Sequence, residues 1–218
     1  VAGELEAARR IQLGFLPRPD TLRNEHRIEI AASMTPAREV GGDLYDFFHL
    51  DRDRLYFLIG DVSGKGLSAS LFMAVGKALC KSITLRSRHA PIGDLMCAAN
   101  EALSRDNPEL LFVTAFAGIL ELDSGALTYC NAGHDNPYVL RKDSAGRDRE
   151  RHRPTAASDR MLAQPGLART GKRMGQRAGS AAITRLANSA GLPACQRHTI
   201  TRSCSGDTTM SLLPAPSA

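Results

Sequence analysis

The residues Val40–Asp46, reading VGGDLYD, and Leu58–Ser70, reading LIGDVSGKGLSAS, decide how this chain is built. Each stretch sets an aspartate, Asp43 or Asp61, beside glycines at the end of an apolar segment. The polar run Asp51–Arg54 lies between the segments, so Leu44–Leu50 and Leu55–Ile59 are expected to pair as a hairpin. Pairing brings two carboxylates and several backbone carbonyls to one rim of a sheet. Hard cations such as Mg²⁺ and Mn²⁺ favour such all-oxygen surroundings. One Gly-Gly-Asp alone would read as a bulge or tight turn. Two such motifs flanking one hairpin point to a shared role, a carboxylate metal site for phosphate chemistry.

Working outward, residues 3–16 place Leu5, Ala8, Ile11 and Phe15 at helical spacing, and Pro17 ends the run. Ile28–Met34 alternates, with Ile28, Ile30, Ala32 and Met34 on one face, and reads as a strand. After Gly66 the period becomes helical. Ser68–Ser87 is expected to bury Leu71, Phe72, Val75, Leu79 and Ile83, with Lys77 and Lys81 elsewhere. Pro91–Leu103 is a second helix burying Ile92, Leu95, Met96, Ala99 and Leu103. Leu111–Leu122 and Ala126–Asn131 flank the turn Asp123-Ser124-Gly125, and Pro137–Arg141 is a last strand. This order predicts an α+β layered fold with antiparallel sheets.

The chain of 218 residues, 43% hydrophobic, suffices for one core or one core with a tail. It starts at Val1, which reads as a fragment of something longer. No apolar run reaches the roughly 18–20 residues that span a bilayer, and no signal peptide is visible, so no membrane partner is expected. The five cysteines, Cys80, Cys97, Cys130, Cys195 and Cys204, form no C-x-x-C pair and suit a reducing cytoplasm. The six scattered histidines argue against zinc. Residues 1–140 carry 14 Lys+Arg against 18 Asp+Glu, and residues 141–218 carry 14 against 5. The basic excess therefore lies in a segment with no Phe, Tyr or Trp and little periodicity, Ala181–Leu192 being its one modest helix candidate. Nucleic-acid binding is set aside on that ground. Two readings stand for the segment: a disordered basic tail, or translation out of frame near Lys142–Arg151.

Gly60–Gly66 sits where a phosphate-binding P-loop would, between a strand and a helix. Three residues separate Gly60 from Gly64 where that motif needs four, and Gly66 occupies the Ser/Thr position, so the P-loop is rejected.

VGGDLYD, GDVSGKGLSASLFMA, LFVTAFAGILE and NAGHDNPYVL resemble, in order and spacing, the bacterial SpoIIE-type serine phosphatases of the metal-dependent PPM superfamily, which are protein phosphatase 2C-like. ARRIQLGFLPRP resembles the helix that precedes that domain, and the likeness covers about residues 4–141. It implies a PPM-type α-β-β-α sandwich incomplete at its C-terminal end: a linker or switch-like helix over 1–20, the N-terminal two-thirds of the phosphatase domain over 21–141, and a basic, low-order 142–218 of uncertain origin. It also implies two Mn²⁺ or Mg²⁺ ions, with Asp43 as the first metal carboxylate, Asp61 as the bridging one and the Val62 carbonyl as a further ligand. Gly42, Gly60 and Gly64 allow close backbone approach, and His134 shapes a turn. Arg38 is a candidate for holding substrate phosphate, although a solvated arginine is the simpler reading, as it is for Lys65. Asp46 reads either as an outer partner of the metal or as a strand-end polar residue. Thr114 and Asn131 are expected to serve packing and turn formation. The implied partner is a phosphoserine protein of anti-sigma-factor-antagonist type, with an upstream sensor domain and homodimerisation among the expectations.

The resemblance stops short of two further aspartates, an Asp-Gly and a C-terminal Asp-Asp. Asp159 and Asp207 are the tail candidates, in contexts that do not match. The alternative reading is thus an inactive remnant, at most a partner-binding module, with little Mn²⁺-dependent activity.

Overall fold

The computed structural model describes residues 2–36 and 39–135 and the strand backbones 137–142, 148–152, 182–184, 196–203 and 207–213. Helix α1 (Ala2–Gly14) and a 3₁₀ turn (Pro19–Leu22) lead into β1 (Glu29–Thr35). Strands β2 (Asp43–His49) and β3 (Arg54–Val62) form the expected hairpin, followed by α2 (Gly66–Arg86) and α3 (Ile92–Arg105). Then come β4 (Val113–Glu121), β5 (Leu127–Ala132), β6 (Pro137–Lys142), β7 (Asp148–His152), β8 (Ala182–Thr184), β9 (Gln196–Ser203) and β10 (Asp207–Leu213).

Two sheets result. One has the order β2-β3-β4-β5; the other runs β1-β10-β9-β6-β7, with β8 parallel to β6. Ala182–Thr184 is strand where the sequence suggested a helix; pairing with β6 overrides a weak propensity there. The rest of that helix candidate, and Asp159, lie outside the described residues.

Alternation along β2, β3 and β4 divides the core in two. Leu44, Tyr56, Leu58, Val62, Val113 and Ala117 face the helices. Tyr45, Phe47, Leu55, Phe57, Ile59 and Phe116 face Ile28, just before β1, Ile30 of β1, and Leu16. A strand buried on both faces needs this continuous apolar sequence. Gly118 is obligatory within it, because a Cβ there would lie 2.5 Å from the Phe57 ring.

Helix α3 buries the five residues its spacing predicts, Ile92, Leu95, Met96, Ala99 and Leu103. Helix α2 does not. Its buried face is Ala69, Ser70, Met73, Gly76, Lys77, Cys80 and Thr84, whereas Leu67, Leu71 and Val75 are 49%, 60% and 52% exposed. Phe72, Leu79 and Ile83 flank the core. The observed face is turned by roughly a third of a turn from the most apolar one. Small residues bring the helix close: a Cβ on Gly76 would meet Val113 and Leu103 at ordinary contact distance. Each leucine left outside forgoes about 1.5–3 kcal/mol of burial, so apolar area alone did not choose this face. By length and composition α2 would also cross a membrane; here it forms part of the helix layer. On α1 and just after it, Ile11 and Phe15 are likewise exposed, and Gln12 and Leu16 are buried instead.

At the end of the sheet remote from Asp43, Arg27 clamps three segments. It donates to Glu25, to Asp53 after β2, to Asp123 after β4 and to the Arg52 carbonyl. The hydrogen bonds from Arg27 pull the Glu25 carboxyl down from 4.5 to about 2. A depressed carboxyl stabilises the fold above its unfolded value, and that contribution is lost as pH falls through the folded one. With allowance for the partial exposure of Arg27, Glu25→Gln is expected to cost roughly 1–2 kcal/mol at neutral pH. Urea unfolding of the variant should also show a flatter pH dependence between 4.5 and about 2. An unchanged acid limb would show that this carboxylate carries none of it.

Candidate functional site

The β2–β3 ladder sets Asp43 directly opposite Asp61, and Leu44 opposite Gly60. Both aspartates fall on the face shared with Tyr45, Phe47 and Ile59, between the two sheets. Asp43 is buried, 8% exposed, and Asp61 is half-buried. They open into a cleft whose wall is Met34 and Pro36 at the end of β1, the loop Val40–Gly42, and Gly64, Lys65 and Gly66. Gly64 and Gly66 have φ of +90° and +73°, which lets the chain turn sharply from β3 into α2. Gly42 is pressed against Val62: the Val62 amide donates to its carbonyl at 3.2 Å. A Cβ on Gly42 would stand 2.7 Å from the Val62 oxygen. Val62 stands behind the cleft wall, its side chain in the helix-side core.

Three contacts hold this rim. Gln12 of α1, 4% exposed, donates through its amide to the Gly41 carbonyl and accepts from the Gly41 amide at 3.2 Å. Sequence reasoning missed it; a glutamine amid an amphipathic helix gives no signal until its partner loop is placed. On the other side, the Thr114 hydroxyl lies 3.3 Å from the Asp61 carbonyl and 3.0 Å from His134 Nδ1. Asn131 closes the Asn131–His134 turn by donating to the His134 carbonyl and accepting its amide, with Gly133 at φ +76°.

Asp46 belongs to neither of its expected roles. It points to the opposite face of β2 from Asp43, is 1% exposed, and pairs with Lys77 of α2. Lys65 is exposed on the cleft wall. Arg38 lies outside the described residues. Asp207, the first residue of β10, pairs in register with Thr35, which belongs to the exposed face of β1, whereas Met34 of the cleft wall belongs to the other face, so the strand pairing does not bring position 207 to Asp43 and Asp61.

Asp43 and Asp61 offer the oxygen donors that hard divalent cations take. The two carboxylates stand opposite each other at one cleft, so the donor chemistry of the site fits such an ion. Among the described residues no group of three or more His, Cys, Asp or Glu side chains gathers there or elsewhere.

The Stage II sporulation protein E (SpoIIE) family matches residues 51–162, more than half of the chain. The chain belongs to the SpoIIE family. Its SpoIIE-type sequence is 31% identical over 165 residues to Protein IcfG of Synechocystis sp., covering 64% of this chain and 26% of that one. It is 28% identical over 151 residues to the phosphoserine phosphatase RsbU of Bacillus subtilis, covering 69% and 44%. The chain thus spans less than half the length of these curated relatives. Among solved structures, the RsbU and RsbW domains of Rv1364c from Mycobacterium tuberculosis superpose with a TM-score of 0.54 at 26% identity, covering 64% of this chain and 38% of that one. The SiaA-PP2C domain of Pseudomonas aeruginosa gives 0.58 at 16% identity, covering 75% and 62%, and confirms the PPM fold of this SpoIIE-family chain.

Replacing Gln12 by alanine leaves the Gly41 amide and carbonyl without their partner. The expected cost is about 1–3 kcal/mol in chemical denaturation. Faster amide exchange at Gly41 and Gly42 should accompany it, without change in α3. Equal exchange at Gly41 in both proteins would show that the α1 contact does not hold the loop.

Proposed function

We propose that the chain is the catalytic part of a metal-dependent protein-serine phosphatase that hydrolyses a phosphoserine monoester on a partner protein. The observation that carries this is the opposition of Asp43 and Asp61 at the mouth of a cleft between two sheets. Homology to a named phosphoserine phosphatase supports the reaction class. Asp43 and Asp61 would hold Mn²⁺ or Mg²⁺, two ions by the family pattern, together with the Val62 carbonyl. When bound, such ions supply Lewis acidity toward water and charge neutralisation of the phosphoryl oxygens. Gly42 lets the loop pack on Val62 beside Asp61, Lys65 offers a cation on the cleft wall for an incoming phosphate, and the Thr114–His134 contact fixes the Asp61 strand end.

The substrate class we propose is a phosphoserine protein of anti-sigma-factor-antagonist type, in partner-switching signalling. The free thiols of Cys80, Cys97 and Cys130 accord with a cytoplasmic location. The second reading, a partner-binding remnant without catalysis, draws on the two carboxylates that the described side chains supply.

Hydrolysis of a phosphoserine antagonist protein, followed by released phosphate, separates them. The phosphatase reading expects turnover with Mn²⁺, its loss in chelator, and a fall of about 100-fold or more in Asp61→Asn. Turnover that survives chelator, or none with Mn²⁺ present, would favour the second reading.

A further inference from the structure

The least ordinary feature outside the cleft is a buried ion pair between α2 and the sheet, with a half-exposed lysine at its edge. Lys77 Nζ lies 2.9 Å from Asp46 Oδ2, with the side chains 9% and 1% exposed. The contact is off the hydrogen-bonding direction, so charge rather than an aligned hydrogen bond holds it. Lys81 Nζ is 3.8 Å from Asp46 Oδ1 and 4.7 Å from the centre of the Phe48 ring. The Phe47 amide donates to the same carboxylate. Cys80 lies beside the pair, and burial, followed by the Asp46 charge, pushes its thiol up to about 12. The surroundings are therefore poorly solvated.

A buried ion pair of this kind adds little net stability, because desolvation offsets most of the attraction. Its value lies in selection among packings. Helix α2 has two faces able to enter a core, and the more apolar one, with Leu67, Leu71 and Val75, stays outside. If Leu71 turned inward, Lys77 would leave Asp46, and an uncompensated carboxylate would remain buried on β2. That penalty separates the two settings where apolar area does not.

We propose that the Asp46–Lys77 pair is a positioning device that sets the rotation of α2 on the sheet and thereby the Lys65–Gly66 wall opposite Asp43 and Asp61. Asp46 follows Asp43 by three residues on the other face of β2, and α2 begins at the cleft wall. The pair therefore ties together the two segments that frame the cleft. The part concerning the cleft rests on the metal reading above; the part concerning α2 does not.

The test uses the full chain and the double variant Asp46→Leu/Lys77→Met, which leaves no buried charge unpaired. Its unfolding midpoint is expected to hold or rise. Iodoacetamide labelling read peptide by peptide reports the helix setting, with Cys80 buried and Cys97 exposed as internal control. Cys80 should label about tenfold faster or more in the folded variant, with Cys97 unchanged. Titration with Mn²⁺ alone should show affinity weakened about fivefold or more. Cys80 protection equal to the parent's in a folded variant would overturn the proposal; faster labelling with unaltered Mn²⁺ affinity would overturn its cleft part. If the parent binds no Mn²⁺, the metal reading fails and the Cys80 rate decides the helix setting alone. Should the double variant not fold, the polar, uncharged Asp46→Asn/Lys77→Gln carries the same readouts.

Discussion

Two like charges face each other across the β2–β3 ladder. Antiparallel register fixes Asp43 opposite Asp61, and the pleat fixes both on the face between the sheets. Directly opposed like charges cost a sheet about 0.2–1 kcal/mol relative to neutral pairs. A fold that only needed stability would not place them at the end of its central hairpin. Much around them keeps the arrangement open and fixed: Gly42 packed on Val62, Gln12 on Gly41, and Thr114 between the Asp61 carbonyl and His134.

The register is itself a consequence of the core. Slipping β2 against β3 by one residue would carry Phe47 and Tyr45 to the helix side and Leu44 to the sheet side. Strands apolar on both faces, packed between α2/α3 and the second sheet, are thus pinned by side-chain size as well as by polarity. At the far end Arg27 ties Glu25 to the turns after β2 and β4, so the hairpin is anchored opposite the cleft. The cleft end is left to glycines, and there the backbone can meet a ligand.

Strands β1 to β6 and helix α3 were legible in the sequence, because alternation and a clean helical stripe each map onto one buried face; β7 to β10, in the segment read as a low-order tail, were not, since they are strand only through pairing with β1 and β6 and carry little apolar periodicity. The opposed aspartates were legible too, since the short turn at Asp51–Arg54 fixes the hairpin. The face of α2 was not. Apolar periodicity favoured Leu71, Phe72 and Val75, whereas the buried face is made of small residues and a lysine whose carboxylate partner lies on a distant strand. Asp46 was ambiguous for the same reason: only tertiary packing shows which side of β2 it serves. Gln12 gave no signal, because its partner is the backbone of Gly41, 29 residues away. The placement of Asp207 beside Thr35 came from strand pairing across most of the chain, which no local motif encodes.

The most direct measurement of the central claim is Mn²⁺ binding, by calorimetry or by loss of the free-ion electron paramagnetic resonance signal, paired with unfolding in the absence of cation. For Asp43→Asn and Asp61→Asn, each shown folded by its unfolding transition, affinity should fall about tenfold or more. Unchanged Mn²⁺ affinity in both variants would contradict it.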